Sequence, residues 1–188
     1  MEINHVGYNS HHTYKPQINL VFIHNESSKE PVYYHKEHGD KRDLLSFKRV
    51  VDESRLRNSL LICDKGFKSI ENIEYLEKVK LKYIFALKRN DTLIDYSLLS
   101  DKESTKSLKY FFYKKRPIWY YVKYLENGIR LILYIDKILK SSEIQDYLWR
   151  IEEGKEGYKE ENFYEKRNSM GTIAIITIEK NLTAERVN

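Results

Sequence analysis

Short, densely apolar runs alternate along this chain with segments whose apolar positions recur at helical spacing. Residues 17–24 (Gln-Ile-Asn-Leu-Val-Phe-Ile-His) are rich in β-formers, apolar on both faces, and predict a strand. Residues 31–36 predict a second, with Pro31 at its start, and the polar stretch 25–30 between them suits a hairpin. The period then changes. Leu44, Leu45, Phe47, Val51 and Leu56 mark an amphipathic helix with Asp43 as its cap. Residues 59–63, with the unbroken run Leu60-Leu61-Ile62-Cys63, predict a strand buried on both faces, which ends abruptly on Asp64 and the turn residue Gly66. Ser69 caps the next helix, whose inner face is Ile70, Ile73, Leu76 and Val79, and Tyr83-Ile84-Phe85-Ala86-Leu87-Lys88 predicts another buried strand. Two antiparallel strands, then helix, strand, helix, strand, is the pattern of an α/β sheet with at least one parallel pair.

Beyond residue 90 the pattern becomes β-rich. Residues 90–105 are polar with an apolar island at Leu98-Leu99, and 108–113, 117–125 and 129–135 predict strands. Asn127-Gly128 is a type I′ hairpin signal. Residues 142–152 and 160–167 predict helices separated by Gly154 and Gly157, residues 172–177 a last strand, and Thr183 the cap of a further helix.

Composition narrows the class. The 188 residues, 41% hydrophobic and 32% charged, predict a folded rather than a disordered chain. A net charge of +5 favours a polyanionic partner, and sixteen tyrosines offer rings for stacking on bases. Cys63 is the single cysteine and lies in an apolar run, so a multi-cysteine zinc site is excluded and a buried, inert thiol is expected. No apolar stretch approaches the roughly 18 residues that span a membrane, and the N-terminus lacks the apolar core of a signal peptide. A cytoplasmic location is the expectation.

Candidate chemistry is sparse. His35-Lys36-Glu37-His38 is not a His-Glu-x-x-His helix motif, and a solvated strand end accounts for it. His11-His12 has no evident third ligand. Lys114-Lys115-Arg116 beside Trp119 and Tyr120 suits a nucleic-acid backbone with stacking support, although an exposed hairpin end explains it nearly as well. Asp64 stands where a buried strand opens to solvent, the usual place for a ligand in α/β sheets, and equally where an Asp merely caps a turn.

The order of several fragments says more than any one of them. Gly7-Tyr8-Asn9-Ser10, Pro16-Gln17-Ile18-Asn19-Leu20, Pro31-Val32-Tyr33-Tyr34 and His38-Gly39-Asp40-x-x-Asp43 come first. Cys63-Asp64-Lys65-Gly66-Phe67-x-Ser69-x-x-Asn72-Ile73 and the Tyr83 strand follow, and Gly171-Thr172-Ile173 and Leu182-Thr183-Ala184-Glu185 close the set. In this order they resemble the DDE transposases of bacterial and archaeal insertion sequences, the branch whose ribonuclease-H-like domain carries a β-rich insertion. The resemblance implies a partial ribonuclease-H-like mixed sheet flanked by helices over residues 1–90. It implies a β-rich and helical insertion over 91–170, then a return strand and the start of a helix over 171–188.

In that family two Asp and one Glu hold two divalent ions, Mg²⁺ or Mn²⁺, for in-line attack on a phosphodiester. Hard ions call for clustered oxygen ligands. The resemblance makes Asp64 the second acid and a metal ligand, has Gly66 turn the backbone beside the ions, and sets Lys65 and Lys68 against phosphates, Lys65 standing where an arginine is common. Lys114, Lys115 and Arg116 are further candidates for contact with DNA. Asp43 matches a recurrent aspartate that the helix cap already explains. The first catalytic Asp is expected on a strand ahead of Gly7, where Glu2 lacks the context. The catalytic Glu is expected in a Tyr-x-x-Arg/Lys-x-x-Ile-Glu helix beyond Glu185, whereas the similar Tyr147-Leu148-Trp149-Arg150-Ile151-Glu152 lies on the wrong side of the last strand.

The expectation is therefore a transposase fragment truncated at both ends. It would be inactive alone and poorly stable or completed by a partner, because the absent first strand belongs between two others that lose its hydrogen bonds. Its partners would be DNA and either a second copy or a full-length transposase, on the nucleoid. A non-catalytic product that binds DNA or transposase and inhibits it is the alternative, and an unrelated α/β protein is the third.

Overall fold

The computed structural model describes residues 5–8, 14–38, 43–99 and 108–187. His11, His12, Glu2, Gly39 and Asp40 lie outside the described residues, as does the side chain of Asp43. The chain divides into two compact units, Met1–Tyr83 and Ile84–Asn188, with the division inside one strand.

In the first unit β1 (His5–Tyr8), β2 (Tyr14–Asn25) and β3 (Glu30–His38) form an antiparallel sheet in that order. Asn25 builds the β2–β3 turn: its Oδ1 accepts the Ser27 and Ser28 N–H groups at 2.9 and 3.1 Å. The register pairs Phe22 with Tyr34 and slips at Ile23/His24. Helix α1 (Asp43–Glu53) buries Ser46, Phe47, Val50 and Val51. It stops short of the expected Leu56 because Arg55 takes a left-handed φ of 53°. After β4 (Leu60–Cys63), Ser69 caps α2 (Ile70–Lys78) by accepting Asn72 N–H at 3.1 Å. The helix ends in a Leu81 N–H bond to the Leu76 carbonyl at 2.9 Å, with Lys80 at φ 57°. Strand β5 (Lys82–Ala86) follows, with Tyr83 and Phe85 fully buried.

Apolar density misstates burial at three places. On α2 the expected inner face is covered at Leu76 and half-covered at Ile73, whereas Ile70 is 69% exposed and Val79 is exposed too. Residues 17–24 bury Val21, yet Ile18, Leu20 and Phe22 are each about half exposed. β4 is not buried on both faces: only Cys63 is covered, and Ile62 is 71% exposed. Ile62 and Cys63 point to opposite faces, and only the Cys63 face is packed. Among the described strands β4 also lies at the edge of a six-stranded sheet, next to β5.

In the second unit β6 (Lys109–Tyr113), β7 (Arg116–Tyr124) and β8 (Arg130–Asp136) run antiparallel, and β9 (Thr172–Thr177) pairs with both β8 and β5. All seven residues of β8 are buried. Between β6 and β7, Lys114 and Lys115 form a two-residue turn with φ of 46° and 65°. Asn127 and Gly128 take the positive φ of a type I′ turn, but Tyr124 pairs with Arg130, one residue out of step with a two-residue hairpin, so the loop carries a bulge.

Helix α3 (Lys137–Glu152) starts five residues before the expected position, because Asp136 Oδ1 accepts the Ile138 and Leu139 N–H groups at 2.9 and 3.0 Å. It packs with α4 (Glu160–Lys166) around Tyr147, Phe163 and Met170. Gly171 leads into β9, and a short helix, α5 (Ala184–Val187), follows Thr183. No described helix is long and apolar enough to cross a membrane.

Glu143 of α3 ties the start of β9 to the segment after β5. It accepts two hydrogen bonds from Arg89, at 2.8 and 2.9 Å, and one from Gly171 N–H at 2.9 Å. Burial pushes this carboxyl up, but the Arg89 and Gly171 hydrogen bonds and the Arg89 charge outweigh it and hold the group below its ordinary value. A depressed folded-state pKa stabilises above the unfolded value of roughly 4.3, and that stability is lost as pH falls through the folded value. The thermal midpoint is therefore expected to fall on acidification below about pH 4.5, and Glu143→Gln to flatten that part of the profile. An unchanged profile in the variant would show that Glu143 is not a source of the slope.

Candidate functional site

Asp64 follows β4 directly and caps a 3-10 turn, Lys65–Phe67. Its Oδ1 accepts Lys65 N–H at 2.7 Å, and its carbonyl accepts Phe67 N–H at 3.0 Å. The loop is pinned from behind. Buried Asn72 donates to the Phe67 carbonyl at 2.8 Å, and the Phe67 ring lies 5.6 Å from that of Phe47 on α1. The carboxylate itself is exposed. Turn cap and solvent-facing acid, the two roles open to Asp64, describe the same conformation, since capping occupies one oxygen and leaves Oδ2 for other partners.

Lys65 and Lys68 flank this loop, Lys65 exposed and Lys68 half-buried. Gly66 departs from the role expected of it. Its φ is not left-handed, and an added Cβ would meet nothing within 4 Å, so the turn does not require glycine. The Cys63 thiol next to Asp64 is buried, which pushes its pKa up to about 12 and makes it a poor nucleophile. A cavity of about 660 Å³ in the first unit is lined by Val21, Phe47, Val51, Leu60, Ile62 and Asp64 among others, and its largely apolar lining also includes His24, Asn25 and Glu26.

The remaining candidates stand elsewhere. Lys114 and Lys115 occupy the exposed β6–β7 turn of the second unit, with Lys114 Nζ 5.3 Å from the Tyr113 ring centroid. Arg116 is paired with Asp136 at 3.0 Å. Glu152 lies at the exposed end of α3, beyond the buried Tyr147.

The structure corrects the expectation for one cluster. His35 and Glu37 share a face of β3 as expected, but this is not a solvated strand end. Glu37 is 6% exposed and accepts Ser46 Oγ at 2.7 Å, while His35 Nδ1 lies 3.2 Å from Glu53 Oε2, which also accepts the Tyr33 hydroxyl. These contacts fasten β3 to α1. The signal is present in Ser46 and Glu53, which fall on the helix face nearest β3, but it becomes readable only once helix and strand are paired.

Among the described residues no group of three His, Cys, Asp or Glu side chains is placed to hold a metal ion. Asp64 alone does not fit a site for two divalent ions, which takes several converging carboxylates.

Residues 2–153 match the transposase DDE domain family. The chain belongs to that family. The family-level resemblance carried by the ordered motifs is therefore borne out, and the DDE transposases are a family that uses divalent metal ions. The piggyBac transposase, solved by cryo-EM in a synaptic complex with hairpin DNA, has a similar fold, with a TM-score of 0.51 at 12% identity. The likeness covers 100% of this chain and 32% of that one, and at this identity it speaks for the fold alone. It agrees with the expected fold class, a mixed α/β sheet flanked by helices. No curated protein matches the chain.

Proposed function

We propose that this DDE-domain chain contributes one acid, Asp64, to a DNA-transposase metal site whose other acids come from a further polypeptide segment. By itself it binds DNA without cutting it. The observation that supports this most directly is the state of β4. The strand that carries Asp64 lies at the edge of its sheet, with Ile62 71% exposed and a cavity of about 660 Å³ beside it. An apolar edge strand of this kind is a template for a further strand. A strand added there would cover Ile62 and end near Asp64, the place a second carboxylate would need to occupy. Basic residues Lys65 and Lys68 beside Asp64, and Lys114 and Lys115 on the β6–β7 turn, suit contact with phosphates. Arg116 is the weakest of the proposed DNA contacts, because Asp136 already engages it.

The test is a plasmid-nicking and gel-shift series with the purified chain in Mg²⁺ and in Mn²⁺. Salt-sensitive retention of DNA without nicking is the expected result. Nicking by the chain alone, lost in Asp64→Asn, would overturn the claim that it is incomplete, and failure to retain DNA at low salt would remove the DNA-binding half. A second reading, an inhibitor that occupies a transposase, is favoured by the apolar sheet face of Ile18, Leu20, Phe22 and Tyr34, about half exposed and available to a partner. It is distinguished by loss of strand transfer when the chain is added to an active transposase of the family.

A further inference from the structure

The β6–β7 hairpin of the second unit sorts its rings onto two faces. Phe111 and Tyr120 turn inward with centroids 6.0 Å apart, and Phe111 also meets Tyr134 of β8. Strand alternation sends Tyr110 and Phe112 to the opposite face, together with Trp119, the cross-strand partner of Tyr110. There they stay open to solvent. Tyr110 is 58% and Phe112 67% exposed, and Trp119 is half-buried. The three form one row: the Phe112 and Tyr110 centroids lie 6.0 Å apart, those of Tyr110 and Trp119 5.2 Å. Lys137 Nζ stands over the far end, 5.0 Å from the Trp119 centroid.

Exposed rings alone would suit many partners, and charge selects among them. Residues 109–124 hold eight aromatic residues, five Lys or Arg and no Asp or Glu. Asp136 belongs to the other face, in register with Ile118, where it pairs with Arg116 at 3.0 Å. Lys114 and Lys115 stand exposed in the turn just beyond Phe112 and Tyr113. Flat rings among cations, without a carboxylate in the hairpin, fit a polyanion that itself carries flat faces.

The rings also choose the form of that polyanion. In a duplex each base is stacked on its neighbours and offers only its edges to the grooves. An unpaired base has a free face, which an exposed aromatic side chain can cover. We infer that the Tyr110–Phe112–Trp119 face binds single-stranded DNA, with bases stacked on Tyr110 and Phe112. Trp119, already covered by Lys137, backs Tyr110. The lysines need not converge, because a strand carries a phosphate at every nucleotide and each cation attracts it separately. The inference rests on the proposed binding of DNA and names the form that is bound.

The test is a fluorescence titration of the purified Trp149→Phe chain, in which Trp119 is the single tryptophan. Its titrants are oligothymidylate, a duplex of the same length, and an abasic strand of the same length. Oligothymidylate is expected to quench Trp119 and to bind about tenfold or more tighter than the abasic strand. Tyr110→Ala and Phe112→Ala are each expected to weaken oligothymidylate about tenfold, the loss of one base–aromatic stack, and to leave the abasic strand and the duplex unchanged. Both rings are more than half exposed, so the variants are expected to melt with the parent chain.

Equal affinity for oligothymidylate and the abasic strand, or ring variants that bind as the parent does, overturns the stacking face. Gel-shift retention of duplex DNA in that case would leave the proposed DNA-binding function standing without it. Retention of no DNA at all would remove both. Self-association that Phe112→Ala abolishes, in a chain that binds no single strand, would make the face a contact between copies and equally overturn the inference.

Discussion

Gly171→Ala is expected to unfold the second unit. Gly171 has a φ of +69°, and a Cβ there would stand 2.6 Å from the Lys140 amide nitrogen and 2.7 Å from the Asp136 carbonyl oxygen. Both are backbone atoms, so no rotamer change relieves the overlap. The left-handed conformation adds about 1–2 kcal/mol for a residue with a Cβ. Three ties depend on this point. Asp136 N–H bonds the Gly171 carbonyl at 2.9 Å, Gly171 N–H bonds Glu143 at 2.9 Å, and β9 pairs with β8 from Thr172 onward. Moving Gly171 to admit a methyl group strains all three. A loss above about 4 kcal/mol is expected, a large part of the 5–15 kcal/mol typical of a domain. Gly154→Ala is the control. Its φ of +64° is as strained, but nothing lies within 4 Å of its Cβ, so about 1 kcal/mol is expected. Urea midpoints of the two variants decide the matter. Equal midpoints would show that the close approach at Gly171 is not what holds the strand.

The two glycines differ in a way that sequence does not carry, whereas local signals read well. Ser69 caps α2, Asn127-Gly128 makes a positive-φ turn, and the apolar run 172–177 is a strand, because each depends on residues within a few positions. The start of α3 is not legible, because Asp136 reads as the polar end of an apolar run and only its side-chain bonds show it to be a cap. Gly171 reads as one member of a motif. Its indispensability comes from Lys140, thirty-one positions earlier, brought alongside by the α3–β9 crossing. Asp64 is legible as an acid at a strand end, and its family supplies a chemistry. That β4 forms an edge is not legible, because Leu60-Leu61-Ile62-Cys63 and Leu131-Ile132-Leu133 are equally apolar, and the neighbours alone decide which is covered. Arg130 stays silent in the sequence for the same reason. A lone cation in an apolar strand acquires meaning only when the 179–184 segment closes over it.

The difference between β4 and β8 yields the second large effect. Ile132 is fully buried in β8, and Ile132→Ala is expected to cost about 2–5 kcal/mol. Ile62 looks alike in sequence and is 71% exposed, so Ile62→Lys is expected to leave the stability of the lone chain within roughly 0.5 kcal/mol. Any assembly that adds a strand along β4 covers Ile62. There the variant forfeits about 1.5–3 kcal/mol of apolar burial and places an ammonium in its stead. A loss of about 100-fold or more in the affinity of such an assembly is expected, since each 1.4 kcal/mol is tenfold. Co-expression of the chain with the polypeptides encoded on either side of its reading frame, followed by co-purification, reads this directly. Wild type is expected to retain a neighbour, Ile62→Lys to release it, and both to melt at the same temperature. If Ile62→Lys retains the neighbour as well as wild type does, the added strand does not run along β4. The acid that would join Asp64 must then reach it by another route.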